Sequence, residues 1–384
     1  MRLFSVFCAT VLAAGGAFAS PAAPPATAPA VPMVVSPPLV HYRLSSLSSV
    51  ALSPHQKRFA AGFFGQVVVY DTTSWQVIAV DRQITGSARC LAFSPDGATL
   101  AIGCGKPDRS GQLILWNGVT GSKEVVLNNG ADTIEAVAFS PDGKTLLTGC
   151  ADHVVRVYNS LPSDKHTSLT EHNSSVEAVA FSQQPGFPFL TAGLDHVVKA
   201  WDPKTMQSVS NLDQFGDGVV AVDFINGTQF VSGCLDGTLT WSGIYYDQRN
   251  KDWGNYNFRS FLAHKNGVNS LALSGDRQTM ITCGMDGTEA LWNAGNGNRM
   301  KTWTVGKTMF YAVALSMHGK TAYGGGRDGY LYVWDTSTGN VTHILAPPPL
   351  PAPPHAAKKP VHHPVKKYIK KKYIKKKYVK RNGR

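Results

Sequence analysis

Seven times between residues 70 and 335 an apolar run ends on an aromatic residue followed by a small polar one. The pairs are Tyr70-Asp71, Trp116-Asn117, Tyr158-Asn159, Trp201-Asp202, Trp241-Ser242, Trp292-Asn293 and Trp334-Asp335. From an aromatic to the first apolar position of the next run the interval is 18 residues in five of six cases: Tyr70 to Ala88, Trp116 to Ile134, Tyr158 to Val176, Trp201 to Val219 and Trp292 to Phe310. The sixth, Trp241 to Val268, is 27. A fixed period of this kind means copies of one small unit, none able to bury its apolar surface alone. The unit is clear in AVAFSPDGKTLLTGCADHVVRVYN (136–159). An alternating strand leads to a Ser-Pro-Asp-Gly turn and a second strand. A small-residue turn holding Asp152 then gives a third strand. The chain is predicted to be all-β.

The repeated unit resembles the WD-repeat (tryptophan-aspartate repeat) family over roughly residues 39–345. The resemblance implies a seven-bladed β-propeller of four-stranded antiparallel blades closed around a channel. The turn aspartate precedes the aromatic by six residues at Asp152, Asp195, Asp286 and Asp328. The family often adds a histidine that links this aspartate to the blade's tryptophan. His172 with Asp195 and Trp201, and His264 with Asp286 and Trp292, match that structural network. The first blade has Phe64 at the aspartate position, beside Phe63. Both LVHYRL (39–44) and NVTHIL (340–345) read as the outer strand that closes the ring, and both remain open.

The ends follow different rules. MRLFSVFCATVLAAGGAFAS has one positive charge, a short apolar run and Ala17-Phe18-Ala19, the pattern of a signal peptide cleaved after Ala19. Residues 20–38 form an Ala/Pro-rich linker. Export, with a Gram-negative periplasm as the expected destination, places the cysteines in an oxidising compartment. Five cysteines remain after such cleavage, in no disulfide or metal-site spacing, and they read as buried thiols; Cys90 and Cys104 alone could meet across a hairpin. Net charge is +12, yet residues 346–384 hold 13 Lys or Arg and no acid, leaving 24 basic against 25 acidic residues elsewhere. The pI therefore says nothing of a basic groove on the body. Residues 346–365 are a Pro-rich arm of extended polyproline type. Residues 366–384 form a polybasic tail, which says K-K-Y-[IV]-K three times: Lys366, Lys367, Tyr368, Lys370; Lys371, Lys372, Tyr373, Lys375; Lys376, Lys377, Tyr378, Lys380, then Arg381. A five-residue period builds no apolar face on helix or strand. Such a tail is expected to be disordered in isolation and to lie along a polyanion.

A propeller does not name an activity. The chain has no HExxH, no nucleophile elbow and no phosphate-cradling loop, so no catalytic residue, metal site or cofactor is assigned. His153 and His196 follow the turn aspartates of adjacent blades and read as residues tolerated where glycine is common. The stretches that depart from the repeat are the better recognition candidates. GIYYDQRNKDWGNYNFRS (243–260) reads as a long loop in the fifth blade carrying Tyr245, Tyr246, Arg249, Trp253, Tyr256 and Phe258. Phe63 and Phe64 form a candidate surface pair in the first. The reading reached is a non-enzymatic exported scaffold. It binds a protein partner on a rim and an anionic surface (membrane lipid, lipopolysaccharide or cell-wall polymer) through the tail. Two alternatives stand beside it: a periplasmic hydrolase using the channel, and a nucleic-acid binder acting through the tail.

Overall fold

The computed structural model describes residues 33–34, 45–128, 130–305 and 308–350. Seven antiparallel sheets occupy 47–81, 87–128, 134–169, 176–212, 219–262, 268–303 and 310–345, and within each the strands pair in sequence order. The protein is a seven-bladed β-propeller. Its core is divided among seven apolar clusters, one at each junction between neighbouring blades. Both faces of every blade are therefore buried, and the ring's stability comes from junctions rather than from blades taken singly.

Local chemistry sets the turns. In Ser-Pro-Asp-Gly turns the serine hydroxyl bonds the aspartate (Ser94 to Asp96 and Ser140 to Asp142, 2.6 Å each) and accepts from the N–H five residues on. Gly97 and Gly143 take a φ of 71°, a left-handed conformation natural to glycine. In five blades the polar member of the aromatic–polar pair caps the next turn: Asp71 accepts the N–H groups of Thr73 and Ser74, Asn117 those of Val119 and Thr120, Asp202 that of Lys204, Asn293 that of Asn296, and Asp335 those of Ser337 and Thr338. Asn159 accepts instead from Thr145 Oγ1.

The fifth blade shows the rule by breaking it. Ser242 pairs with Phe230 and so holds the place of the other blades' aromatic, while Trp241 lies one residue early on the opposite face, in the blade 5–6 junction. The aromatic–polar pair expected here is out of register, and Gly243 stands where the cap would. Ser242 bonds across the sheet to Asn257 at 2.7 Å. Its strands run on as Thr238–Asp247 and Asp252–Leu262. The capping turn reappears four residues after Gly243, where Asp247 accepts from Arg249 N and Asn250 Nδ2, 2.8 Å each. Residues 243–260 are thus an extended hairpin, not the loop expected.

Closure is settled for the described residues. Val341–Leu345 is the fourth strand of blade 7, so that blade is one continuous stretch of chain. Residues 39–44 lie outside the described set. Met33–Val34 adds a parallel fifth strand beside His343 and Ile344. The seam between blades 7 and 1 is held by side chains. Phe59 and Trp75 of blade 1 pack on Tyr323 (5.1 and 6.0 Å between ring centroids), and Trp75 reaches His343 at 5.5 Å.

Candidate interaction surfaces of the ring

The first apolar position of each inner strand (Leu47, Ala88, Ile134, Val176, Val219, Val268, Phe310) is fully buried. Directly after it, in all seven blades, the pairing register slips at a β-bulge. A bulge leaves one residue unpaired and re-aims its side chain. The seven re-aimed residues are Ser48, Arg89, Glu135, Glu177, Val220, Asn269 and Tyr311, and all line the central channel of about 1040 Å³. Arg89 Nε bonds Glu135 at 2.6 Å. Burial pushes the Glu177 carboxyl above its ordinary range, the nearby Glu135 adds to the shift, and Ser175 and Arg89 offset part of it. This ring was missed in the sequence, although it sits one residue past a landmark that the period marks.

The histidine networks form. His172 Nδ1 lies 2.8 Å from Asp195, and its Nε2 lies 2.7 Å from Thr191 Oγ1, which also accepts from Trp201 Nε1 at 2.8 Å. His264 does the same with Asp286 (3.3 Å), Thr282 (2.8 Å) and, through Thr282, Trp292 (2.9 Å). Burial lowers the His264 pKa against the pull of Asp286. The linking threonines were not foreseen. Blades 2 and 7 have Ile102 and Gly324 at the threonine position, and there Trp116 Nε1 and Trp334 Nε1 are buried without a hydrogen-bond partner. These groups are architecture rather than a reactive site.

On the blade 5 hairpin the candidate aromatics divide between two faces. Trp253 packs on Tyr246 and on Phe187 of blade 4, each at 5.2 Å, and so folds onto the ring. Tyr245, Tyr256 and Phe258 are 49%, 41% and 45% exposed and form a row with centroids 6.2 and 6.0 Å apart. Cross-strand pairing sets Tyr245 opposite Gly254 and Tyr256 opposite Gly243. Each tyrosine ring fills the space that a Cβ on its partner glycine would need, which holds the rings flat on the sheet. Arg249, at the hairpin tip, is exposed.

The Phe63/Phe64 pair is corrected. Phe63 is fully buried in the blade 7–1 seam, paired with Leu47, and only Phe64 faces solvent, at 58% exposure. Strand alternation separates them: the last residue of a strand points inward and the first of the turn does not. His153 and His196 hold left-handed turn positions (φ 69° and 64°) like those of Gly287 and Gly329. Cys90 and Cys104 pair with Gly103 and Ala88 rather than with each other, and both thiols are free. Among the described residues there is no group of three or more His, Cys, Asp or Glu placed to hold a metal. The segment expected to be a signal peptide (1–19) and the polybasic tail (366–384) lie outside the described residues.

With this geometry in view, the WD40 family (WD domain, G-beta repeat) matches residues 80–117, 122–159, 163–202 and 256–293. The chain is similar to nuclear distribution protein nudF of Emericella nidulans, 30% identical over 180 residues, covering 46% of this chain and 39% of that protein. It is 24% identical over 249 residues to the guanine nucleotide-binding protein subunit beta of Oryza sativa subsp. japonica, covering 59% of this chain and 64% of the relative. WD repeat-containing protein 82 of Drosophila melanogaster is 22% identical over 280 residues, 71% of this chain and 84% of the relative. The chain thus spans less than half of the first relative and just under two thirds of the second. The chain carries WD40 repeats in four places and folds as a seven-bladed β-propeller.

Proposed function

We propose that the chain is a non-enzymatic protein-interaction scaffold, exported to the cell envelope. Its partner binds on the rim through the blade 5 hairpin, and the basic tail tethers it to an anionic surface. The observation that carries the reading is the exposed row of Tyr245, Tyr256 and Phe258 on a hairpin that, among the described residues, only this blade possesses. Aromatics preorganised in this way lose little entropy on binding and are frequent interface anchors. The similar rice protein is by its name a subunit of a larger assembly. The tail carries its cations without a single acid; each is worth ~1 kcal/mol near an anionic surface, so half of them reach binding on the order of 10–100 μM and most of them together micromolar binding.

Two assays test the two halves. Partner capture with the full chain should recover proteins that are lost when Tyr245, Tyr256 and Phe258 are replaced by serine. Identical recoveries would remove the hairpin from the proposal. Co-sedimentation with anionic liposomes, cell-wall sacculi and DNA, at low and high salt, should lose binding when residues 346–384 are deleted. Preference for DNA, with log K falling by about 0.9 per phosphate neutralised against log salt, would instead favour the nucleic-acid reading.

A further inference from the structure

The corner where the chain leaves the ring is built like a peptide seat. Blade 7 ends at Leu345, and the next residues cross to blade 1, at the turn Phe64-Gly65-Gln66. Pro347 is buried there. The Pro348 carbonyl accepts a hydrogen bond from Gln66 Nε2 at 3.0 Å. Leu350 Cδ2 lies 4.0 Å from the point where a Cβ on Gly65 would stand. Gln66 is only 2% exposed, and its second amide atom, Oε1, is buried with no hydrogen-bond partner.

In blades 3, 4, 6 and 7 the turn aspartate accepts the N–H two residues on (Val154, Val197, Thr288, Tyr330) and closes the turn on itself. Blade 1 has Phe64 in place of that aspartate, 58% exposed. The turn lacks that side-chain bond and is held by backbone alone, through the Phe63–Gln66 pairing and the Gly65 N–H to the Gly86 carbonyl at 2.7 Å; a buried amide stands beside it. A side-chain amide has both the donor and the acceptor needed to imitate a strand residue, which exchanges two bonds with its opposite number. Pro348 supplies a carbonyl but has no N–H. The exchange is half made, and a buried acceptor without a donor is costly.

We propose that this corner of blade 1 is a recognition site for the main chain of an extended, proline-rich peptide, and that Ala346–Leu350 is its resting, replaceable occupant. A pre-extended proline-rich chain loses little entropy on seating, and an exposed aromatic flank suits proline rings. The preferred ligand keeps the prolines but carries an N–H where Pro348 stands, and so bonds both ends of the Gln66 amide. Such a ligand displaces the arm and frees the tail that follows it. The site is separate from the blade 5 hairpin and does not depend on the proposed function.

The test uses the full chain with a dye on a cysteine placed at Ala352, read by fluorescence anisotropy. Gln66→Leu should lower the anisotropy and Pro348→Ala should raise it, with the melting temperature of the ring unchanged. The nonapeptide APAPLPAPP should displace the labelled arm at a concentration about fivefold lower than APPPLPAPP, the worth of one net hydrogen bond. Both are titrated to the order of millimolar, the effective concentration of a tethered competitor. Anisotropy indifferent to Pro348→Ala, or two nonapeptides of equal or no effect, would overturn the proposal. Pro348 lies outside the blades, so that arm of the test stands even if Gln66→Leu fails to fold.

Discussion

Glu289 opens the third strand of blade 6 with no exposed surface. In the other six blades the same position is held by Val67, Leu113, Val155, Val198, Leu239 and Leu331, all equally buried. One carboxyl oxygen accepts the Val305 N–H at 3.2 Å; the other is buried without a hydrogen-bond partner. Burial, with a smaller push from Asp286, lifts the pKa from an ordinary 4.5 to about 8. The folded protein thus holds this proton more tightly than the unfolded chain does. Its contribution is complete below about 4.5 and is lost as pH rises toward 8, at ~1.4 kcal/mol per pH unit and about 5 kcal/mol in total. Glu289→Gln and Glu289→Leu remove the titration while keeping the volume. Chemical and thermal unfolding of all three proteins from pH 4.5 to 9 should show the variants gaining on the wild type steadily. By pH 8 to 9 the gap should reach roughly 10 °C in melting temperature. Using the difference removes groups common to all three, such as His264, whose lowered pKa makes stability fall as pH drops below the ordinary histidine range. Parallel pH profiles for wild type and variants would refute the reasoning, since they would mean that the carboxyl does not change its proton affinity on folding.

Three further outcomes follow from the geometry. Thr282→Val leaves both His264 Nε2 and Trp292 Nε1 without their shared hydroxyl and should cost ~2–4 kcal/mol, measured by urea unfolding, whereas Thr→Val at an exposed strand site should cost a few tenths. Phe63→Asp should lose roughly 3–5 kcal/mol or prevent folding, because it puts an unpaired charge in the blade 7–1 seam; Phe64→Asp should stay within about 0.5 kcal/mol. Gly254→Ala should dislodge the Tyr245 ring, read as a change in near-ultraviolet circular dichroism and weaker partner capture, with the melting temperature of the ring nearly unmoved.

The period of 18 residues and the aromatic–polar pairs carried the blade count, the turn positions and the His172 and His264 networks, because each is a short-range pattern set by one turn or one strand. Thr191 and Thr282 escaped notice since a threonine within an apolar strand looks like any β-branched residue; only the cross-sheet register shows it between a histidine and a tryptophan. The channel ring was hidden for a related reason. Arg89, Glu135 and Glu177 look like solvent positions of an alternating strand until the bulge that turns them inward is seen. The hairpin of blade 5 was legible in principle. Gly243 stands where the other blades place a polar residue, and Asp247 supplies a cap four residues late, yet the Gly, Asn and Asp content of the stretch suggested a loop. The two outer-strand candidates carry the same apolar pattern; what separates them is the hairpin that Val341–Leu345 makes with Leu331–Asp335, whose turn Asp335 caps.

All four strands of every blade come from one uninterrupted run of sequence, and blade 7 is no exception. The unit of coding and the unit of architecture therefore coincide. A deletion or duplication of one period adds or removes a whole sheet without cutting one, so rings of this kind can grow by unequal recombination with every intermediate chain made only of complete blades. Synthesis gains likewise. Each sheet can pair as soon as its own residues emerge, and closing the ring is the docking of two finished faces, Phe59 and Trp75 against Tyr323, with only the two-residue Met33–Val34 strand added from the far end of the chain.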